Sequence, residues 1–243
     1  MTTAAGVIIG DEILTGKFAD QNGPYLIKRL RELGVDLLRL ATIRDGIESI
    51  ATEVRQASAL ADVVFTSGGV GPTHDDLTLA GVAAAFDLPL VRSQPLVDLI
   101  VQFGLPVNDA SMQMATVPRG TELLVHEASR FPVLRCRNVY VLPGVPLLFE
   151  RKFESIAARF TAEPLTTARI VTPTDETHIA ALLRQVAQDH PSVAIGSYPR
   201  YGRGGVRVIV TLEGRDAPAV RAAEIALRKD LEVVESVDDG PMS

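Results

Sequence analysis

The 243-residue sequence predicts an α/β fold: a three-layer, mostly parallel sheet with helices on both faces, followed by a small α+β unit. Three observations predict it. Short apolar runs alternate with amphipathic helical segments through the first two thirds of the chain. A buried run ends at a glycine-rich loop that leads into a helix. The order of the elements then changes after Pro164, so we divide the chain into domains 1–164 and 165–243.

In the first domain, strands and helices alternate as parallel sheets require. Strands are predicted at Ala4–Ile9, Val35–Thr42 and Val63–Phe65, and helices after Asn22, after Gly46 and over Leu77–Phe86. Gly10–Glu12 is predicted to be a turn. Further helices follow Ser93 and Asn108, Thr121–Val125 and Val133–Leu142 are predicted strands, and Leu147–Phe160 is a predicted helix. The pair Met112 and Met114 is interpreted as core packing.

The second domain has the order βαββα, which is typical of a ferredoxin-like unit. The predicted elements are the strands Ala168–Thr172, Val193–Ser197 and Val206–Leu212 and the helices Glu176–Gln188 and Ala217–Leu231. Glu232–Glu235 is a candidate last strand. Gly196–Gly205 is predicted to be a polar hairpin whose tyrosines and arginines either stack on a base or form a mobile tip.

Composition restricts the class of protein. Net charge is -6 and the pI is about 5.3, which argues against a nucleic-acid or anionic-membrane partner. The single cysteine, Cys136, suits a reducing compartment. No apolar run is long enough for a signal core or a membrane span. We therefore expect a cytoplasmic protein that acts on a small molecule, with a homo-oligomer left open.

The glycine-rich loop is the candidate binding site. Residues 65–78 read Phe-Thr-Ser-Gly-Gly-Val-Gly-Pro-Thr-His-Asp-Asp-Leu-Thr. Gly68, Gly69 and Gly71 let the backbone approach an anion, and the hydroxyls of Ser67 and Thr73 are candidate donors to phosphate. The loop matches neither the P-loop nor the GxGxxG pattern, since it lacks the required lysine and the third glycine.

Four aspartates, like the glycine-rich loop, come soon after predicted strands of the first domain. Asp75 and Asp76 would repel a bare phosphate, so a site here requires a divalent cation such as magnesium. Asp11 and Asp45 also follow strands and should lie at the same sheet edge. The alternative for Asp45 and Asp76 is helix capping, and for Asp11 a solvated turn.

Three separated motifs resemble the molybdopterin-binding domain family, which includes MogA, MoaB and the N-terminal part of CinA. They are Ile9–Gly16, Ser67–Thr78 and Leu142–Pro146. The sequence looks closest to the CinA-like branch and to the N-terminal domain of eukaryotic FAD synthase. The resemblance implies that Asp45 and Asp76 are the two functional aspartates, assisted by Asp75. It also implies that Pro143, Gly144 and Pro146 wall the pocket.

The resemblance implies a metal-dependent hydrolase of pyrophosphate-linked nucleotides such as ADP-ribose or FAD. The catalytic residues would be Asp76, Asp45 and Asp75, and the metal ligands Asp76, Asp75 and Asp11. Two alternatives stay open: a molybdopterin adenylyltransferase of the MogA type, and a module that binds a pterin or nucleotide without turnover. The second domain is too short for the amidohydrolase domain of CinA or the synthase domain of FAD synthase, so neither is expected.

Overall fold

The computed structural model describes residues 2–126, 131–160, 165–202 and 205–234. The chain forms two compact units, one up to residue 162 and one from residue 163. Among the described residues, no helix is long and apolar enough to cross a membrane.

The first unit is an α/β domain around a six-stranded sheet. Its strands are β1 (Thr3–Ile9), β2 (Asp36–Ile43), β3 (Val63–Ser67), β4 (Leu90–Arg92), β5 (Thr116–Pro118), β6 (Glu122–Leu124), β7 (Val133–Cys136) and β8 (Val139–Leu142). Its helices are α1 (Asp11–Leu14), α2 (Asn22–Glu32), α3 (Ile47–Leu60), α4 (Thr78–Ala85), α5 (Gln94–Gln102), α6 (Asp109–Met114) and α7 (Pro146–Ala157).

The strand order β2-β1-β3-β8-β7-β6 confirms the mostly parallel sheet. The first four strands are parallel, and β7 and β6 are antiparallel to their neighbours. Strands β4 and β5 form a separate antiparallel pair that the sequence did not predict. Both are three residues long, which is too short for a periodic signal.

Each face of the sheet is covered by a helical layer with its own core. On one face, Leu30 of α2 and Phe153 of α7 pack with Phe65 of β3. On the other face, Val54 of α3 packs with Val64, the preceding residue of β3. Successive strand residues point to opposite faces, so one apolar run supplies both cores.

Two local predictions are wrong. Asp11–Leu14 is a short helix rather than a turn. Residues 133–142 form the β7–β8 hairpin instead of one strand, with Arg137 in a left-handed conformation at φ 55°. Asn138 fixes this hairpin to the end of α3, because its amide donates to the carbonyls of Ser58 and Ala61.

The second unit contains β9 (Thr166–Thr172), α8 (Glu176–Asp189), β10 (Ala194–Gly202), β11 (Gly205–Gly214) and α9 (Ala217–Asp230). Its antiparallel order, β10-β11-β9, is that of a split βαβ unit and confirms the predicted small α+β architecture. The predicted strand at Glu232–Glu235 is not formed over 232–234. One hydrogen bond from Val234 N to Val171 O, 3.0 Å, lies at that edge. Glu235 and the hairpin tip at 203–204 lie outside the described residues.

Candidate functional site

A cavity of about 720 Å³ opens where β1, β3 and β8 end. Ile9, Ser67 and Val141 line it from these strands, and the segments that follow the strands complete its wall. Ligands of parallel α/β sheets bind outside the carboxyl ends of the strands, so the cavity lies where such a fold presents a site.

Steric contacts and hydrogen bonds fix the first residues of the glycine-rich loop. Gly68 has φ 103°, and a Cβ added there would meet the carbonyl oxygen of Ile9 at 2.2 Å, so only glycine fits. The N–H of Gly68 donates to Leu142 O over 3.2 Å. Thr78, the first residue of α4, donates its hydroxyl to Gly68 O at 2.7 Å and its N–H to Gly69 O at 3.0 Å.

Apart from these contacts, the loop presents free backbone donors. Within the described part of the chain, the N–H groups of Gly69, Val70 and Gly71 have no protein acceptor. All three residues line the cavity. Successive unpartnered N–H groups on a curved backbone form an anion-binding concavity, which we call the cradle.

Asp76 lies directly against the cradle. A Cβ on Gly71 would meet its Oδ2 at 2.7 Å. The same oxygen accepts from the N–H of Thr73 at 2.7 Å and from its hydroxyl at 2.5 Å. Leu77 precedes α4 and no side chain caps that helix, so the capping alternative for Asp76 is wrong. Thr73 itself does not line the cavity and instead orients Asp76.

Gln113 supports this loop from α6. Its amide donates to Thr73 O at 3.0 Å and to Asp76 O at 3.1 Å. These bonds fix both ends of the turn that carries the Asp76 carboxylate. No sequence pattern indicates this role of Gln113, which lies 37 residues from Asp76 along the chain.

The other predicted aspartates lie outside the cavity wall. Asp45 accepts from the N–H of Asp11 at 2.8 Å, so it stabilises the start of α1; no side chain caps α3. Burial raises the pKa of Asp45, and the carboxylates of Glu12, Asp11 and Asp75 raise it further. These three carboxylates are therefore near enough to Asp45 to disfavour its negative charge.

Asp11 and Asp75 each have a local partner. Arg44 Nε lies 3.1 Å from Asp11 Oδ1, and this hydrogen bond lowers the pKa of Asp11. Asp75 is exposed, and the nearby Thr73 side chain lowers its pKa. Neither carboxylate lines the cavity.

The predicted three-carboxylate metal site is not formed. Among the described residues, no three His, Cys, Asp or Glu side chains converge to hold a metal ion. Asp76 alone of the predicted ligands lines the cavity. Its Oδ1 carries no protein hydrogen bond within the described residues. One such carboxylate still fits magnesium, which keeps several waters and completes its shell with substrate phosphates.

Asn22 connects two loops of the site, a role that sequence reasoning missed. Its Nδ2 donates to Ser67 Oγ at 2.8 Å and to Gly144 O at 2.7 Å. Asn22 is 5% exposed, and no donor reaches its Oδ1 within the described residues. The predicted residues Ser67, Pro143, Gly144 and Pro146 all line the cavity. The sequence identified Asn22 only as a helix start, which it also is.

The rest of the cavity is apolar. Its wall includes Leu79, Leu96, Met114, Phe131, Leu134 and Leu148. Met114, interpreted from sequence as core, therefore faces the cavity, whereas Met112 packs with the cluster around Leu96. Lys152 also lines this space, and burial lowers its pKa to about 8.

The fold and the cradle define an α/β domain with a cavity at the carboxyl ends of its parallel strands. The profile of the family described as "Probable molybdopterin binding domain" matches residues 5–163, and that of "FAD synthase, middle domain" matches residues 164–239. The chain belongs to the molybdopterin-binding domain family.

Relatives of known sequence include an Archaeoglobus fulgidus protein, 36% identical over 89% of this chain and 93% of that protein. A probable FAD synthase of Caenorhabditis briggsae is also 36% identical, over 93% of this chain but only 49% of its own length. The crystal structure of CinA from Thermoplasma acidophilum is 26% identical with a TM-score of 0.61, covering 65% of this chain and 98% of that one. These findings confirm the CinA-like and FAD synthase-like resemblance.

Proposed function

We propose that this protein is a metal-dependent hydrolase of pyrophosphate-linked nucleotides of the ADP-ribose or FAD type. The main support for the proposal is that the carboxylate of Asp76 lies next to the cradle. Gly69, Val70 and Gly71 line the cavity with N–H groups that have no acceptor among the described residues, and a carboxylate lies against Gly71. N–H groups bind a diphosphate, while the carboxylate repels it unless a cation lies between them.

The shape of the cavity supports a ligand larger than phosphate. Its volume of about 720 Å³ lies in the range of ligand pockets, roughly 300–1,000 Å³. The cradle is polar, whereas another part of the wall, which includes Leu79, Leu96 and Phe131, is apolar. A nucleotide, with a diphosphate joined to a flat ring, has the same division of polarity.

The chain's own residues then perform binding and positioning. The cradle orients the diphosphate. Thr73 holds the Asp76 carboxylate and Gln113 holds the backbone of the same turn, while Asn22 fixes the loops on either side. A divalent metal bound at Asp76 would neutralise the phosphates and activate water. Hydrolysis forms one P–O bond to water and breaks the P–O bond of the anhydride, giving two monophosphates. Of the carboxylates that line the cavity, Asp76 is the one that lies against Gly71 of the cradle, where it can orient the water or accept its proton.

The family description favours a second candidate, a molybdopterin adenylyltransferase. In that reaction the same cradle would hold ATP and a pterin phosphate. The apolar part of the cavity accepts a pterin as well as a flavin or adenine ring. The reaction class therefore has to be decided by turnover.

Incubation of purified protein with a substrate panel tests the proposal. The panel comprises FAD, ADP-ribose and ATP, each with Mg²⁺, Mn²⁺, Co²⁺ or no metal, with products separated by chromatography. Release of AMP from FAD or ADP-ribose only with metal is the expected result. ATP consumption that requires molybdopterin would instead establish the transferase, and tight binding without any product would establish a binding module.

A further inference from the structure

Lys152 is a cation that lines the cavity, and no carboxylate of the described residues pairs with it. Among the described residues that line the cavity, it is the only basic one. Its Nζ donates to Phe131 O at 2.6 Å and to Pro132 O at 2.9 Å. An ammonium group has three N–H donors, so one remains without an acceptor in the described part of the chain.

The surroundings of Lys152 suit a flat ring better than a phosphate. Phe131, whose carbonyl holds Lys152, packs with Leu96 and Leu134 in one apolar cluster that borders the cavity. The centroids of the Phe131 and Phe103 rings lie 5.5 Å apart, and this contact restrains the Phe131 ring. A phosphate needs several donors, whereas a ring carbonyl needs one donor and apolar walls.

Resting on the proposed function, we propose that the free N–H of Lys152 donates to a ring carbonyl oxygen of a flavin. Lys152 is then the residue that selects a flavin dinucleotide over ADP-ribose. The flavin ring carries two carbonyl groups on its pyrimidine part. Adenine carries none, and the free ribose of ADP-ribose offers no flat ring to the apolar wall.

Protonation of Lys152 controls this contact. A neutral amine keeps two N–H groups, and Phe131 O and Pro132 O already occupy two donors. Deprotonation therefore removes the donor that would reach the ligand. Burial sets the pKa of about 8, with no contribution from a charged neighbour. The other ionisable groups lining the cavity are the carboxylates Glu12, Asp20 and Asp76, and adjacent Arg151 and Glu150 on α7 are exposed.

The test compares Lys152→Met with wild type for binding of FAD and ADP-ribose by calorimetry at low temperature, in Mg²⁺ at pH 7. Chromatography after each titration confirms that the nucleotide is still intact. Methionine keeps the apolar stem and removes the donor. A lost hydrogen bond to a charged donor corresponds to about a 10- to 100-fold weaker Kd. We expect that loss for FAD and less than a twofold change for ADP-ribose. Lys28→Met, an exposed lysine on α2, is the matched control and should change neither.

Wild-type FAD affinity should also fall between pH 7 and pH 9, and the Lys152→Met protein should lack this fall.

A pterin bearing a diphosphate, 6-hydroxymethylpterin diphosphate, offers a similar carbonyl. If this pterin diphosphate binds more tightly than FAD and its binding is weakened by Lys152→Met, Lys152 recognises a ring carbonyl, but the ring is that of a pterin and not of a flavin. If Lys152→Met weakens the binding of FAD and ADP-ribose equally, or leaves FAD binding unchanged, the inference about Lys152 is wrong but the proposed function is not affected. Failure of wild type to bind either nucleotide overturns the proposed function as well.

Discussion

Asn22 and Gly144 are joined by a 2.7 Å hydrogen bond from the amide Nδ2 to the carbonyl oxygen, across 122 residues of chain. The same Nδ2 reaches Ser67 Oγ at 2.8 Å. The backbones of the two loops are also in contact, because a Cβ on Gly144 would meet Gly68 Cα at 3.2 Å. One buried amide thus sets the spacing of the cradle and the Pro143–Pro146 loop.

Asn22→Ala should lower both stability and ligand affinity. It removes two hydrogen bonds and leaves Gly144 O without its donor, which costs about 1–3 kcal/mol of unfolding free energy. Chemical denaturation and nucleotide calorimetry measure the two effects. Asn138→Ala is the control, because Asn138 bonds Ser58 and Ala61 and does not line the cavity. It should lose stability only, and an equal loss of affinity in both variants would contradict the role of Asn22.

Gly68→Ala should destabilise the protein far more than Gly104→Ala. A methyl on Gly68 meets backbone at 2.2 Å, whereas Gly104 has φ 67° and open space around it. We expect about 3 kcal/mol or more for Gly68→Ala, from strain and overpacking together. Gly104→Ala should cost only about 1–2 kcal/mol, from its left-handed backbone. Similar urea midpoints for the two variants would show that the base of the loop is not rigid.

Asp45→Asn should preserve or increase stability. Asparagine still accepts the N–H of Asp11 but removes a charge that burial and three carboxylates disfavour. Because the pKa of Asp45 is raised, the folded state binds more protons than the unfolded state between the ordinary and the raised value. Wild-type stability therefore falls as pH rises through that window, and the variant should lack this component. A large drop in Tm at pH 7 would refute this, and lost turnover with intact Tm would support a role for Asp45 in the reaction.

The main layers of the fold followed from sequence because they depend on local periodicity. Apart from α1, the alternation from β1 to α4 was predicted with bounds that differ by a few residues at most, and Gly68, Gly69 and Asp76 were identified by their position after β3. Asn22 and Lys152 were missed, because their roles exist only after distant segments meet. The β7–β8 hairpin was missed for a different reason: its turn uses Arg137 at positive φ, where glycine would have been the visible signal.

Asp76→Asn should abolish most turnover and leave the fold intact. The amide oxygen still accepts from Thr73, so the turn persists, but the charge that a metal requires is lost. Thermal melting and the rate of AMP release are the two measurements. Asp75→Asn, the exposed neighbour outside the cavity, should keep more activity than Asp76→Asn. A large fall in the Tm of the Asp76→Asn protein would show instead that Asp76 mainly stabilises the loop.

The dependence of FAD affinity on divalent metal tests the central claim most directly. The account places a diphosphate on the cradle next to the carboxylate of Asp76, an arrangement that needs a cation between them. FAD is titrated calorimetrically at low temperature, in Mg²⁺ and after chelation, and chromatography confirms that it is not hydrolysed during the titration. Affinity should fall about 10-fold or more on chelation, a coupling of about 1.4 kcal/mol or more. The Asp76→Asn protein should show little response. Wild-type FAD affinity that is unchanged by the chelator would contradict the account.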